Sequence, residues 1–391
     1  MSFRIALSGL DASSKQLDVI GNNVANSSTT GFKESSTKFS DVYANSNTGA
    51  SANAVGSGVR VSQVAQQFSQ GNIGFTNNNL DMAINGQGFF RMSDNGVIDY
   101  TRAGSFGVDR NGYVVNSNGQ NLTGFLADQN GNITGALGNI RLDKSDISPR
   151  ATSGMDVQLN LNSNSTTLAP YPGSPAFDPT NPATYNRSTS TTVYDSLGNP
   201  VLATMYYRKT TTPNQWETHL YLKSDNGSAV EAVPTGKSAG QPGTITFNND
   251  GSLNSTAPSG TGPYTISYQG TDPQTGGSPL NLTLNYTGTT QYGSGFSVNS
   301  LSQDGFATGK LSKVNISNTG VMQARFTNGQ TRTLGQVALA DFNNPQGMSK
   351  LGDSTWGETY DSGTALVSAP GTGSLGSIQS GALESSNVNI A

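Results

Sequence analysis

The residues of this chain that could carry out chemistry are few. The sequence has no cysteine and a single histidine, His219. Thiol catalysis is therefore excluded, and a zinc site built from histidine and cysteine is nearly so. His219 lies in the segment 216–222 (Trp-Glu-Thr-His-Leu-Tyr-Leu), in which alternate residues face opposite sides of a strand. The pattern predicts a solvated histidine on the polar face of a sheet, with no catalytic role.

Three short motifs have the spacing of ligand-binding loops but lack the right setting. Residues 371–376 match Gly-x-Gly-x-x-Gly, but the motif follows Pro370 instead of a buried strand, and no helical run comes after it. The segments 128–131 and 249–251 resemble calcium loops, yet the glycine comes too early and no glutamate closes either loop. We interpret both as hairpin turns. Carboxylate pairs for glycoside hydrolysis stay open, because 25 acidic residues always allow some pair. We predict no enzyme, no metal and no cofactor.

The composition narrows the class of protein. Charged residues make up 12% of the 391 residues, against about 25% in typical globular proteins. Glycine and small polar residues dominate, which favours a turn-rich, mainly β chain with two or three domains. With 21 basic and 25 acidic residues there is no basic surplus, so nucleic acid and an anionic membrane are disfavoured as partners. No apolar run reaches the ~20 residues of a membrane span, and the start lacks the features of a cleaved signal peptide.

One stretch, residues 3–26, has a sustained helical period. Its apolar residues recur at alternating spacings of four and three, which is the pattern of a coiled-coil seam. We call the following six residues the seam: Phe3, Leu7, Leu10, Leu17, Ile20 and Val24. The helix would be about 36 Å long with one face that needs cover. It could dock on the chain's own sheet, or it could pack against another copy of the chain, which the small residues between the seam positions favour.

Everything after the helix is predicted to be β-sheet and turn. Residues 44–58 contain almost nothing to bury and are interpreted as a linker. Asn-Gly recurs between short apolar runs, and this dipeptide is the strongest local signal for two-residue hairpins. It occurs at Asn85, Asn95, Asn111, Asn118 and Asn130. The sequence therefore predicts a meander of antiparallel strands.

Five motifs that together form a specific set are spread over the chain. They are residues 21–26 (Gly-Asn-Asn-Val-Ala-Asn), 30–33 (Thr-Gly-Phe-Lys), 80–90 (Leu-Asp-Met-Ala-Ile-Asn-Gly-Gln-Gly-Phe-Phe), 100–106 (Tyr-Thr-Arg-Ala-Gly-Ser-Phe) and 381–388 (Gly-Ala-Leu-Glu-Ser-Ser-Asn-Val). Together they resemble the family of bacterial flagellar rod and hook subunits, and the hook proteins within it. The signature residues are Asn22, Asn23, Asn26, Gly31, Phe32, Leu80, Asp81, Gly86, Gly88, Phe89, Tyr100, Thr101 and Arg102.

The resemblance implies a mainly β, multidomain fold, with discontinuous antiparallel β domains and an N-terminal amphipathic coiled-coil-type helix. The expected segments are a tube-lining helix (1–30), a linker or interface segment (31–70), an inner β domain (71–150 and 302–370), an outer β domain (151–301) and a return segment toward the tube lining (371–391). It also implies a long closing helix that pairs with the first, which the residues up to Ala391 do not contain.

The same resemblance implies a structural role in a self-assembling tube outside the cell. The chain would polymerise into the flexible hook, a universal joint that passes motor torque to the filament. Its partners would be copies of itself, the rod, hook-cap and hook-filament junction proteins and the flagellar (type III) export apparatus, which would export it with its N-terminus intact. Two alternatives stay open: a distal rod subunit, and an extracellular β-rich adhesin or carbohydrate-binding protein.

Overall fold

A computed structural model describes residues 2–42, 56–128, 130–143, 145–169, 176–225, 227–260, 262 and 264–389. The chain divides into two compact units. Unit 1 is discontinuous and consists of Met1–Ser145 with Leu311–Ala391, and unit 2 is Asp146–Lys310. The sequence-based boundaries of the outer domain, 151 and 301, both lie within unit 2.

The described residues form one α-helix, two short 3-10 helices (Pro182–Thr184 and Pro345–Gly347) and 29 strands. The first part of unit 1 contains α1 (Ser2–Ala25), β1 (Ser35–Asp41), β2 (Val59–Gln66), β3 (Ile73–Phe75), β4 (Met82–Asn85), β5 (Phe89–Asp94), β6 (Val97–Thr101), β7 (Gly107–Val108), β8 (Val114–Val115), β9 (Asn121–Ala127) and β10 (Ile133–Asn139). Unit 2 contains β11 (Gly154–Asn160), β12 (Arg187–Tyr194), β13 (Pro200–Lys209), β14 (Gln215–Ser224), β15 (Val230–Ala232), β16 (Gly243–Phe247), β17 (Leu253–Ala257), β18 (Thr265–Thr271), β19 (Leu280–Asn285) and β20 (Ser297–Gln303). The last part of unit 1 contains β21 (Leu311–Ile316), β22 (Val321–Phe326), β23 (Thr331–Val337), β24 (Leu339–Asp341), β25 (Ser349–Gly352), β26 (Thr355–Gly357), β27 (Leu366–Ser368), β28 (Ser377–Ser380) and β29 (Ala382–Glu384).

The predicted fold class is confirmed, because the described chain is mainly β with one N-terminal helix. The helix predicted over residues 3–26 runs from Ser2 to Ala25. It contains no proline, and it ends where the backbone N–H of Asn26 is shared between the carbonyls of Asn22 and Asn23. Five residues later, Gly31 adopts a positive φ of 68°, which a residue with a Cβ rarely does. The described part of the chain has no helix long and apolar enough to span a membrane.

Unit 1 is assembled from strands of both ends of the chain. Its largest sheet has 13 strands, in which β9 pairs with β23, β5 with β24 and β6 with β26. The smaller pairs β4–β28 and β3–β29 join the two ends in the same way. Aromatic rings fill the core beside this sheet in edge-to-face contacts, with centroids 4.8 Å apart for Tyr100 and Phe342 and 5.6 Å apart for Phe89 and Trp356. Neither segment of unit 1 can therefore complete the sheet alone.

Residues 31–70, the predicted linker or interface segment, contain a paired hairpin. β1 and β2 form an antiparallel two-stranded sheet of their own. A two-stranded sheet is marginally stable in water without a neighbour, and here the neighbour is α1, which packs on both strands. Of the predicted 44–58 linker, residues 44–55 lie outside the described residues.

Unit 2 is a sandwich of two sheets around one core. One sheet has the order β12-β13-β14-β16-β17, with β15 beside β14, and the other has the order β18-β19-β11-β20. Alternate residues of β13 and β14 face the core, as the alternation of the sequence predicts. The largest fully buried side chain is Trp216, whose Nε1 donates to Oε1 of Gln291 at 2.7 Å.

The Asn-Gly dipeptides form two kinds of turn, and the prediction of two-residue hairpins is correct at one of them. Asn95 and Gly96 join β5 to β6, with φ values of 49° and 99°. At Asn111, Asn118 and Asn130 the hairpin loop is longer. The extra length is explained by the side chain two positions before each asparagine. At Asn111, for example, the Oδ1 of Asp109 accepts the backbone N–H groups of Asn111 and Tyr113.

The same bonds recur at the other two longer loops, where Asn116 and Asp128 take the place of Asp109. The prediction is wrong at Asn85, because β4 pairs with β28 and not with β5. At the other four positions the Asn-Gly dipeptide therefore marks a hairpin turn but does not fix its length, which depends on the preceding side-chain acceptor.

We expect the fragment 146–310 to fold alone, with a cooperative thermal transition. Its buried cluster is drawn entirely from unit 2, including Trp216, Tyr207 and Tyr286, and about 150 residues are enough for an independent core. Calorimetry or circular dichroism of the fragment tests this. Trp216→Ala should lower its stability by about 3–5 kcal/mol, whereas Leu202→Ala, at a position that is 45% exposed on the same sheet, should change it little. A fragment that melts without a transition would contradict the independence of unit 2.

Candidate assembly site

Helix α1 uses one face to dock on its own hairpin and leaves the opposite face free. The docked face is made of buried or half-buried residues at helical spacing, namely Ile5, Ser8, Ala12, Val19 and Asn23. The seam lies on the other side, where Phe3 is 79% exposed, Leu10 68% and Leu17 67%. Leu7, Ile20 and Val24 are also exposed. Of the two sequence-based interpretations, docking on the chain's own sheet therefore occurs, but it does not use the seam.

Polar groups hold the docked face in one register. The Nδ2 of Asn23 donates to the carbonyl of Ser35 at 2.8 Å, and its Oδ1 accepts the N–H of Ser35 at 3.0 Å. At the other end of the helix, the Oγ of Ser8 accepts the N–H of Val59 at 3.3 Å. Asn23 is 5% exposed, so this paired amide contact is shielded from water. The signature asparagine thereby fixes the rotation of α1 and, with it, the direction of the seam.

Two further side-chain contacts join the β1–β2 hairpin to the strand pair β25–β26. Trp356 donates through Nε1 to the Oε1 of Gln66 at 2.6 Å, and Lys350 donates to the Oγ of Ser35 at 2.9 Å. Burial lowers the pKa of the Lys350 amine. A cleft of about 350 Å³ between these residues and the end of α1 is lined partly by the signature residues Asn22, Asn26 and Phe32. The β1–β2 hairpin is therefore bonded to the strand pair β25–β26, and the cleft separates this pair from the end of α1.

Three buried charged residues from distant parts of unit 1 lie in contact. One lies between α1 and β1, one directly after β6 and one at the end of β29. We call Lys33, Arg102 and Glu384 the junction cluster. The Nζ of Lys33 lies 2.6 Å from Oε1 of Glu384, and Nη1 of Arg102 lies 3.1 Å from its Oε2. Glu384 is 0% exposed, Lys33 1% and Arg102 4%. The carboxylate is thus shared by two cations inside the protein.

Backbone groups complete the junction cluster. Glu384 also accepts the N–H of Gly71 at 2.8 Å, and Lys33 donates to the carbonyl of Ser69 at 2.7 Å. The Nη2 of Arg102 donates to the carbonyl of Gly86 at 2.7 Å. Burial lowers the pKa values of Lys33 and Arg102, and the charge of Glu384 opposes that shift in both. The carboxylate therefore offsets part of the cost of burying the two cations.

The signature residues of distant motifs converge around this cluster. Gly31 donates its N–H to the carbonyl of Glu384 at 2.8 Å, and a Cβ at Gly31 would overlap the backbone of Ala103. Asp81 accepts from Thr76 and Asn78 through its side chain and from the N–H of Gly381 through its carbonyl.

The other signature residues line the adjoining β body. Phe89 and Tyr100 lie in the aromatic core, and Leu80 is half-buried beside Asp81. Gly86 and Gly88 have positive φ values of 120° and 110°. Thr101 donates to the carbonyl of Ser354. Burial, with a smaller contribution from Glu358, raises the pKa of Tyr100 to about 12.

Lys33 and Glu384 lie within the motifs 30–33 and 381–388, but the motifs alone do not identify them as site residues. The available signal was a charged residue inside an otherwise apolar or small-residue motif at each end of the chain. Such a residue is buried only when it is paired. The sequence could not show which residues pair, because 351 positions separate Lys33 from Glu384.

The prediction that His219 is solvated is wrong. The residue is 3% exposed, because the segment before β12 folds back over its face of the sheet. The ring of Phe177 stacks on the imidazole with centroids 3.9 Å apart and planes within 5°. Glu231 places Oε1 3.5 Å from Nδ1. The histidine is therefore part of the packing between this segment and β14.

The remaining chemical motifs form turns. Residues 371–376 connect β27 to β28, and the N–H of Gly371 bonds to the carbonyl of Gly376 at 2.9 Å. The Asp128 and Asp250 carboxylates accept N–H groups within their own turns. Among the described residues, no group of three or more histidine, cysteine, aspartate or glutamate side chains is arranged to hold a metal ion.

Three known families match successive parts of the chain. The family described as "Flagella basal body rod protein" matches residues 3–33, which contain α1. The "Flagellar hook protein FlgE/F/G D1 domain" matches residues 83–160, and the "Flagellar basal body protein FlaE D2 domain" matches residues 160–306. The helix, the discontinuous β body and the inserted sandwich thus define a structural subunit of the flagellar rod and hook class.

Individual relatives show which family within this class the chain belongs to. The flagellar hook protein FlgE of Escherichia coli (strain K12) is 34% identical over 400 residues, an alignment that covers 100% of this chain and 92% of the relative. FlgE of Borreliella burgdorferi is 30% identical, and the alignment covers 98% of this chain and 90% of the relative. The crystal structure of Helicobacter pylori FlgE2 shares the fold, with a TM-score of 0.55 at 14% identity, and covers 78% of this chain and 99% of that one. The chain belongs to the flagellar hook protein family.

Proposed function

We propose that this subunit polymerises through the seam of α1 into a curved, flexible tube that transmits torque as a universal joint. The observation that supports the proposal is the division of α1 into two faces. One face is fixed to the hairpin by Asn23 and Ser8, so the opposite apolar face is presented outward in a defined direction. An apolar stripe of this kind on a rigidly held helix suits packing against an identical helix. The proposal assigns no enzymatic activity and no cofactor to the chain.

Flexibility of the tube would come from weak contacts between the β units of neighbouring chains. Only 12% of the residues are charged, and exposed ion pairs contribute little in any case. Neighbouring copies can then shift against one another without breaking a strong buried ion pair. The junction cluster contains strong buried ion pairs, but they lie within one chain and would move with it.

The rod alternative and the adhesin alternative fit less well. The resemblance implies that a distal rod subunit shares the terminal motifs but lacks a large insertion, whereas this chain carries unit 2. An adhesin gives no reason for the exposed seam. Electron microscopy of the purified chain decides among them: we expect tubes, whereas a monomer that binds glycans and forms no tubes would refute the proposal.

The proposed location is the hook, outside the cell, reached through the flagellar export apparatus. The further proposed partners are the rod, the hook cap and the hook-filament junction proteins, with no nucleic acid and no membrane. A chain exported unfolded and without a cleaved signal should keep its N-terminus near Met1. Mass spectrometry of the extracellular protein tests this prediction, and removal of the first 20 or so residues, the length of a signal peptide, would show that the route is wrong.

A further inference from the structure

The Asn-Gly pairs of the chain differ in how their glycine N–H groups are bonded. The sequence has seven such pairs, and the structure describes the asparagine in six of them. In four of the six, the glycine N–H donates to the carbonyl three residues earlier, at 3.0 to 3.2 Å. The glycines of this group are Gly112, Gly119, Gly131 and Gly329. Gly86 donates to the Oε1 of Gln70 at 3.0 Å. The N–H of Gly96 has no acceptor within the described residues.

Asn95 and Gly96 form the two-residue turn between β5 and β6. Asp94 pairs with Val97 across the turn, and the φ values of 49° and 99° are those of a type I′ turn. Both residues are exposed, and a Cβ at Gly96 would meet nothing within 4 Å. The carbonyl of Asn95 accepts no hydrogen bond from the described residues. The peptide group between the two residues can therefore rotate without breaking a hydrogen bond.

Rotation of this peptide group brings two reactive atoms together. It converts the type I′ turn into a type II′ turn, the other type that closes two-residue hairpins. Asn95 keeps its positive φ, while its ψ changes from about +30° to about −120°. At that angle the Cα–Cβ bond of Asn95 is eclipsed with the bond to the nitrogen of Gly96. The nitrogen then lies beside Cγ of Asn95, where a five-membered ring can close.

We propose that Asn95 is a site of spontaneous deamidation. The nitrogen of Gly96 loses its proton to hydroxide and forms a bond to Cγ of Asn95, and the bond from Cγ to Nδ2 breaks, so that ammonia leaves. Water then opens the succinimide: addition at Cγ gives aspartate, and addition at the backbone carbonyl carbon gives isoaspartate. Overall, one amide and one water become one carboxylate and one ammonium ion, with no oxidation or reduction. Asparagine is counted among the thermolabile residues of proteins.

The bonded glycines protect the other asparagines. Rotation of their Asn-Gly peptide group would break the hydrogen bond of the glycine N–H, and one net hydrogen bond changes an equilibrium by on the order of tenfold. Two of these turns are held further by a side chain. The Oδ1 of Asp109 accepts the N–H of Asn111 at 2.9 Å, and the Oδ1 of Asn116 accepts the N–H of Asn118 at 3.1 Å.

Deamidation changes the β5–β6 turn itself. The Nδ2 of Asn95 donates to the Oδ1 of Asp94 at 2.9 Å. A carboxylate cannot donate this bond, and it places a second negative charge beside Asp94. Isoaspartate also adds a methylene group to the backbone of the two-residue turn. An ageing population of the protein therefore becomes a mixture of copies that differ in charge at this turn.

Peptide mass spectrometry of the purified full chain, incubated at mildly alkaline pH, tests the proposal. Trypsin cleavage at Arg91 and Arg102 leaves Asn95 as the one asparagine of its peptide. The amide-to-acid mass change should appear at Asn95 faster than at Asn111 or Asn118 by on the order of tenfold. In the chain unfolded in guanidinium, the three rates should be similar, because glycine follows each asparagine. A folded chain that converts Asn95 no faster than Asn118 would overturn the proposal.

Two variants supply a matched comparison. Asn95→Gly removes the reactive amide and keeps a Gly-Gly turn, which type I′ accepts, so the first acidic species on isoelectric focusing should form more slowly. Asn118→Gly makes the same change in a protected turn and should leave that rate unchanged. Equal rates in Asn95→Gly and the wild type would count against Asn95 as the fastest site. If Asn95→Gly fails to fold, the peptide rates of the wild type decide. The outcome does not depend on tube formation, so failure of either proposal leaves the other standing.

Discussion

Replacing both Leu10 and Leu17 with aspartate should abolish tube formation and leave the monomer folded. Leu10 and Leu17 are 68% and 67% exposed in the chain, so the substitutions remove little packing from the monomer. In a tube, each buried leucine would contribute roughly 1.5–3 kcal/mol at every subunit. The aspartates would instead place unpaired charges in every helix contact. Sedimentation measures assembly, and thermal melting measures the monomer.

The control uses the polar side of the same helix. Lys15 and Asp18 form an exposed ion pair at 3.3 Å, and such pairs are worth little. The double variant Lys15→Ala with Asp18→Ala should therefore assemble like the wild type. Wild-type assembly by the Leu10→Asp, Leu17→Asp variant would refute the seam. A large fall in its monomer melting temperature would show that the seam packs within the chain.

Glu384→Gln should lower the stability of unit 1 strongly. The change removes the charge that balances Lys33 and Arg102 inside the protein, and breaking a buried ion pair in this way costs about 3–5 kcal/mol. Lys33→Met should cost less, because it leaves Arg102 and Glu384 as a neutral pair. Thermal melting of the full chain measures both, with the transition of unit 2 as an internal reference.

Glu358→Gln is the matched control for this experiment. Glu358 is an exposed glutamate of the same unit, whose contact with the Tyr100 hydroxyl is 3.3 Å long, so its loss should change the melting temperature little. If Lys33→Met proved as costly as Glu384→Gln, charge balance would not be the source of the stability of the junction cluster. Packing and hydrogen bonding of the two side chains would then account for it.

The sequence predicted those features that depend on local spacing. The helix over Ser2–Ala25 was visible because a 3.6-residue period is complete within a few turns. The strand that contains His219, β14, was visible because alternation has a period of two. The positions of the Asn-Gly turns were visible because the dipeptide is itself a local signal. The lengths of the turns were not visible, since they depend on a side chain two residues earlier.

The sequence could not predict contacts made between distant segments. His219 was expected to be solvated because its own strand shows a polar face, and nothing in that strand reveals that Phe177 covers it. The junction cluster was missed in the same way. Its three residues lie in three motifs that were each recognised, but the pairing of Glu384 with Lys33 and Arg102 is a property of the folded chain.

The interleaving of strands in unit 1 also constrains the order in which the chain can fold. A chain that emerges from its first residue onward has β4, β5 and β9 available early, but their partners β28, β24 and β23 come from the last part of the sequence. All strands of unit 2 are available before those partners, so the sandwich can close first. Once it has closed, its ends Asp146 and Lys310 are held in place, and the loop that unit 1 must close is shorter than the sequence suggests. Glu384 emerges after every strand of unit 2, so the junction cluster is among the late contacts that make unit 1 rigid.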